Sequence, residues 1–184
     1  MTYLEMKKKV LSLIEEVTDI AKATTGDNDI DTKLPYVTNQ IMYELSRIKK
    51  IPRYYAKQVE ANSVATFEDL EGETSDRIYQ IDIISGVDSE LRGKRITFLE
   101  DGQADIYYFK YPERINEKTP DTYEFELDDD VLEIMPYGIA ADLLKSDVSS
   151  NYGQVYANRY EALKQGLDPR DTVHGAIVVG GYDV

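Results

Sequence analysis

Hydrophobic positions along this chain follow two periods, and the switch between them divides it into segments. From Val131 onward, apolar residues recur as Val131/Leu132, Ile134/Met135, Ile139/Ala140 and Leu143/Leu144, the three-to-four spacing that lines one face of a helix. Asp128, Asp129 and Asp130 stand before this stripe, where carboxylates accept bonds from unpaired backbone N–H groups and suit the positive end of the helix dipole. Pro136 either opens the helix at its first turn or kinks one that began near Asp130, since it lacks an N–H and fixes its own φ. Of the two, the kinked helix is expected. Ser146 to Ser150 breaks the pattern, and a second helix follows with Tyr152, Val155/Tyr156, Tyr160 and Leu163 on one side. Gly166 and then Pro169 supply its stop signal.

The amino-terminal third is also helical. Thr2 and Glu5 have the spacing of a capping box, and Leu4, Val10/Leu11, Leu13/Ile14, Val17 and Ile20/Ala21 keep helical spacing as far as about Ala23. A second helix is predicted from Ile30 or Asp31, with Pro35 in its first turn and Val37, Ile41, Leu45 and Ile48 buried, ending before Pro52. These two helices are expected to form an antiparallel hairpin.

Between Arg53 and about Leu127 the period shortens to two, which predicts strands at Tyr54 to Val59, Arg77 to Ile84, Arg95 to Leu99, Ala104 to Tyr111 and Thr122 to Leu127. The clearest hairpin is RITFL-EDG-QADIYYF. A three-residue loop of Glu100, Asp101 and Gly102, with Gly102 left-handed, sets Phe98 against Ala104 and Ile96 against Ile106. A two-residue turn would set Phe98 against Asp105, so the longer loop is expected. The acidic run Glu68, Asp69, Glu71, Glu73 and Asp76 reads as a loop. Beyond the last helix, Val173 to Val179 reads as a short strand or extended arm, and packing onto its own lobe or onto a neighbouring subunit are both open. The expected fold class is therefore α+β, a small helical bundle (1–53 with 128–170) carrying an inserted antiparallel β lobe (54–127) and an extended tail (171–184).

Composition narrows the chemistry. The 184 residues contain 35 acidic and 21 basic side chains, a formal net charge of −14. That charge opposes a clamp on nucleic acid, which needs clustered Lys and Arg, but suits a surface from which a passing duplex is repelled. Cysteine is absent, which excludes disulfides and thiolate catalysis. No apolar run approaches the roughly 18 residues of a membrane span, and no signal-peptide layout opens the chain, so a cytosolic place of synthesis is expected. Asp27, Asp29 and Asp31 imitate the start of a calcium loop, but Thr32 and Thr38 stand where Gly and Glu are required. His174, the only histidine, has no partner at a meaningful spacing and is expected to be structural. No metal, cofactor or catalytic residue is assigned, and no enzyme activity is expected.

Met135 to Leu144 (MPYGIAADLL), then Asp147, Asn151-Tyr152-Gly153 and Asn158-Arg159-Tyr160, form a small-residue helix ending in paired leucines followed by a Tyr-rich helix. In this order of elements the chain resembles the head-to-tail connector (adaptor) proteins of tailed bacteriophages. The resemblance implies a structural virion protein of the neck, made in the host cytoplasm, that forms a ring of about twelve subunits on the portal. Its implied partners are itself, the portal and tail components, with DNA passing through unbound and no membrane involved. Tyr152, Tyr156 and Tyr160, with Val173, Ile177, Val178, Val179 and Tyr182 of the tail, are the candidate partner-binding residues, although a Tyr stripe at helical spacing also suits a core. The β insertion departs from the smallest members. Rival readings are another acidic neck, tail or scaffold interaction module, or a carboxylate-dependent hydrolase in the β lobe.

Overall fold

Among the described residues, five α-helices and two three-stranded antiparallel sheets make the chain an α+β protein. The computed structural model describes residues 1–14, 28–146 and 151–171. Two compact units divide the chain, Met1–Lys49 with Pro112–Pro169 and Lys50–Tyr111 with Arg170–Val184.

The first unit is helical, and α4 (Asp129–Leu143) is its hub, contacting α1 (Tyr3–Ile14), α2 (Asn28–Ser46) and α5 (Tyr152–Gln165). Most of its stripe is buried, with Val131, Leu132, Ile134, Met135, Ile139 and Ala140 each at 6% exposure or less, whereas Leu143 and Leu144 at its end are only half-buried. Each large aliphatic side chain buried in this way stabilises the fold by roughly 1.5–3 kcal/mol. Pro136 lies inside α4 rather than at its start. Asp128 makes no side-chain cap bond, whereas Asp130 accepts from the Val131 N–H at 2.9 Å and from Lys49 Nζ at 2.9 Å.

The capping box at the start of α1 is formed in both directions. Thr2 N donates to Glu5 Oε2 at 2.8 Å, and Glu5 N donates to Thr2 Oγ1 at 3.2 Å. The extension of this helix to Ala23 lies outside the described residues. α2 starts two to three residues earlier than expected and carries Pro35 in its interior, not its first turn. Its buried side is consequently Leu34, Thr38, Ile41, Met42 and Leu45, while Val37 and Ile48 are half-buried. Thr38 is fully buried and satisfied, its hydroxyl donating to the Leu34 carbonyl at 2.7 Å.

Thr122 to Leu127 is not a strand. It makes one isolated antiparallel bridge, Thr2 with Glu124, supported by Tyr3 N to Tyr123 O at 2.8 Å. The alternation that predicted a strand is nonetheless the burial pattern, since Phe125 and Leu127 are both 6% exposed, and Phe125 meets Tyr3 edge to face at 6.2 Å. Residues 112–127 therefore cluster with the helices, outside the lobe assigned to them from sequence. Asn39 clips them to α2, its amide bonding the Ile115 carbonyl at 2.7 Å and its own oxygen accepting the Ile115 N–H at 2.9 Å.

In the second unit, β1 (Ile51–Val59), β6 (Gly102–Lys110) and β3 (Ile78–Ser85) form one sheet in the order β1-β6-β3. β2 (Val64–Thr66), β5 (Arg95–Phe98) and β4 (Ser89–Arg92) form another in the order β2-β5-β4. The expected hairpin between 95 and 111 does not exist, because its two strands belong to different sheets. Ile96 pairs with Ala65 and Leu91, and Ile106 with Tyr55 and Ile84. Ile96, Phe98, Ala104 and Ile106 still share one core, together with Phe67 and Leu70. Gly102 does take a positive φ, 152°, but it opens β6 opposite Val59 rather than closing a three-residue loop. Gly86, at φ of 86°, admits no side chain, since a Cβ there would lie 2.3 Å from the Gln103 carbonyl oxygen.

The acidic run is a helix as well, α3 (Phe67–Thr74), and not a loop. Thr66 and Asp69 close a capping box, Asp69 N donating to Thr66 Oγ1 at 3.2 Å and Thr66 N to Asp69 Oδ2 at 2.8 Å. Phe67 and Leu70 anchor the inner side, Glu68, Asp69 and Glu73 are exposed, and Glu71 is half-buried, accepting the Ile78 N–H at 2.7 Å.

Candidate functional site

The residues singled out in the Tyr-rich helix separate into three environments. Tyr160 is core: 5% exposed, it lies under the Lys164 ammonium at 4.9 Å from its ring centroid. A Cβ built on Gly138 would sit 2.9 Å from Tyr160 Cε2 and 3.1 Å from Ile41 Cδ1. The glycine in α4 is thus what lets α5 approach closely enough to bury this ring. Burial first, and then the Glu44 carboxylate, pushes the Tyr160 phenol well above its ordinary titration range.

Tyr156 is half-buried, and its hydroxyl donates to the Leu13 carbonyl at 2.6 Å, tying α5 to the end of α1. Tyr152 is 58% exposed and stacks on Tyr156 at 6.4 Å and 22°. Val155 beside it is 56% exposed, an apolar residue without a polar reason to be in water. Of the three tyrosines, the structure therefore offers only Tyr152 to a partner with its ring in the open. Val173, Ile177, Val178, Val179 and Tyr182 lie outside the described residues, as do His174, Asp147 and Asp27.

A groove of about 450 Å³ runs beside this face, bounded by Gln40 and Glu44 of α2, Ala141 and Asp142 of α4, and Gly153 and Ala157 of α5. Its lining mixes small residues, Gly138, Ala141, Gly153 and Ala157, with charged ones, Glu44, Asp142, Lys145 and Glu161. Lys164 donates to both Glu44 and Glu161 at 2.6 Å, and these two carboxylates hold it charged against the opposing pull of burial. Two features of the surface escaped the sequence. The apolar spacing groups Val155 on one side of its helix with Tyr152, Tyr156 and Tyr160, yet it is 56% exposed while Tyr160 is buried, and Tyr36, 67% exposed on α2, lies out of phase with the buried Leu34 and Thr38. A helical wheel gives the relative phase of such residues but not which side another helix covers.

Carboxylates were the other candidate chemistry. Those with displaced titrations are displaced downward, the opposite of what a general acid requires. Backbone N–H donors of Thr2 and Thr66 hold Glu5 and Asp69 low, Lys57 does so for Glu73, and Gln103 with Tyr54 for Asp105. At Asp76 and Asp130 burial pushes upward but is overcome, by Lys110 and Tyr108 at the first and by Lys49 at the second. Asp76 is the most enclosed of these, accepting from Lys110 Nζ at 2.7 Å and the Tyr108 hydroxyl at 2.8 Å. Among the described residues, no group of three His, Cys, Asp or Glu is placed to hold a metal ion. No helix among them is long and apolar enough to cross a membrane. No known protein family matches the chain, and no curated protein is significantly similar to it.

Proposed function

We propose that the chain is a head-to-tail connector protein of a tailed bacteriophage, forming a ring of about twelve subunits beneath the portal. The observation that carries this reading is the outward face of α5, where Tyr152 and Val155 stand exposed on a helix whose other side is locked to α4 through Gly138 and Tyr160. A rigidly mounted aromatic–aliphatic pair, rimmed by charge, has the composition of the centre of a protein interface. The residues that suggested the connector resemblance are those that build this helix pair. In a ring the contact is heterologous: the α5 face of one subunit meets a different surface on the next, and closure of the rotation stops growth. The net charge of −14 then keeps a passing duplex from adhering.

The portal protein of the phage that encodes this chain provides the test. Portal rings mixed with the chain and imaged by negative-stain electron microscopy are expected to gain a coaxial second tier at one end. Portal rings that remain bare at saturating concentrations would count against the assignment.

A further inference from the structure

The two flanks of α5 face nearly opposite ways, and each carries half of a contact. With about 3.6 residues per turn, Tyr152, Val155 and Arg159 fall within about 60° of one another around the helix axis. Gln154, Ala157 and Glu161 fall within about 60° on a second flank, and the two flanks are centred about 160° apart. The first flank projects: Tyr152 is 58% exposed and Val155 56%. Arg159, also exposed, holds its guanidinium carbon 5.9 Å from the centroid of the Tyr137 ring. The second flank is one wall of the groove of about 450 Å³, whose other walls are α2 and α4.

The groove suits what the first flank offers. Ala141 of α4 and Gly153 and Ala157 of α5 line it with small side chains, and the side chains at a contact set how closely a second helix approaches. The Tyr152 ring and the Val155 methyl groups leave water on entering it. Its charge is opposite in sign to Arg159. The carboxylates of Glu44, Asp142 and Glu161 line it, and the ammonium groups that face them are Lys164, donating to Glu44 and Glu161 at 2.6 Å, and Lys145, 3.8 Å from Asp142. Three carboxylates against two ammonium groups leave one negative charge in excess, which a single guanidinium balances, and its planar fork can serve two carboxylates at once.

We propose that the Tyr152, Val155 and Arg159 flank of α5 seats in the groove between α2, α4 and α5 of the next copy of this chain. The contact rests on the connector reading, whose exposed face it pairs with a receptor. Because the two halves point in nearly opposite directions, one partner cannot engage both, so the contact is heterologous and gives each subunit one neighbour on either side. A two-fold dimer needs both halves on one side of the molecule, which the same angle forbids.

The chain contains no cysteine, so a thiol can be placed on either half alone. Val155→Cys lies at an exposed position and Ala141→Cys at a half-buried one in the groove wall. The two variants are co-expressed, purified together at about 100 µM, where mass action populates weak association, and treated with a short bismaleimide. The mixed sample is expected to yield at least about tenfold more cross-linked dimer than either variant alone. Adding Arg159→Glu to the Val155→Cys chain is expected to lower that yield about tenfold, and adding Asp142→Lys to the Ala141→Cys chain to restore it. A mixed yield no greater than that of Val155→Cys alone would assign the face to contact with itself and overturn the proposal, as would a yield indifferent to both charge reversals. Portal rings imaged alongside separate this contact from the connector reading. A second tier without cross-linking overturns the contact alone, whereas cross-linking beside bare portals upholds the contact and counts against the connector assignment.

Discussion

Replacing Gly138 with alanine sets two effects against each other, and the contact with Tyr160 decides the sign. Alanine is better than glycine in a helix interior by about 1 kcal/mol. The new Cβ, however, would lie 2.9 and 3.0 Å from the Tyr160 ring and 3.1 Å from Ile41 Cδ1. The ring cannot simply step aside, being 5% exposed, and overpacking of this kind costs about 1–3 kcal/mol. Gly138→Ala is therefore expected to destabilise by about 1 kcal/mol net. In a Tyr160→Leu background the ring is gone and only the end of the Ile41 side chain must shift, so the same substitution is expected to stabilise by up to about 1 kcal/mol through propensity. The double-mutant cycle then yields a coupling of up to about 2 kcal/mol. Urea unfolding followed by far-UV circular dichroism measures all four proteins, the helical signal reporting the unit that contains α4 and α5. Stabilisation by Gly138→Ala of equal size in both backgrounds would refute the close approach of the two helices.

Three further outcomes follow from the same geometry. Asp76→Asn removes the carboxylate 2.7 Å from Lys110 Nζ, whose side chain is 7% exposed, and at pH 7 is expected to cost about 3 kcal/mol in the β unit. Because the Asp76 pKa is depressed in the fold, its contribution is present above the unfolded value near 4 and is lost as pH falls through the folded one. The urea midpoints of wild type and Asp76→Asn should thus converge in acid; a constant gap would rule out the ionic origin. At the alkaline end, burial pushes the phenols of Tyr3, Tyr108 and Tyr123 up to about 12. Raised values give stability that is complete below the unfolded pKa near 10 and lost as pH climbs toward 12, so the midpoint should hold to about pH 10 and then fall. Tyr152→Asp with Val155→Asp alters only exposed positions and should leave stability within about 0.5 kcal/mol, while abolishing self-association measured by sedimentation.

Local signals survived translation from sequence to structure, and non-local ones did not. The Thr2–Glu5 box and the stripe of α4 depend on residues a few positions apart, and both formed. The box at Thr66 and Asp69 was equally local, yet acidic composition masked it and a helix was read as a loop. The 95–111 hairpin failed for a different reason. Matching apolar faces correctly put Ile96, Phe98, Ala104 and Ile106 together, but they meet across two sheets rather than along one ladder. Strand partners are chosen by the whole chain, and sequence proximity is only a prior. The candidate surface was half legible for a related reason. Spacing located a Tyr-rich helix, but the docking of α4 through Gly138 determined that Tyr160 went inside and that Tyr152 and Val155 remained outside.

Particle mass by multi-angle light scattering across a wide concentration range tests ring formation most directly. One closed species of about twelve subunits, unchanged in mass as concentration rises further, is the expected result, since cyclic closure ends growth at a fixed number. A species whose mass keeps growing with concentration, or a monomer throughout, would contradict self-closure of the ring.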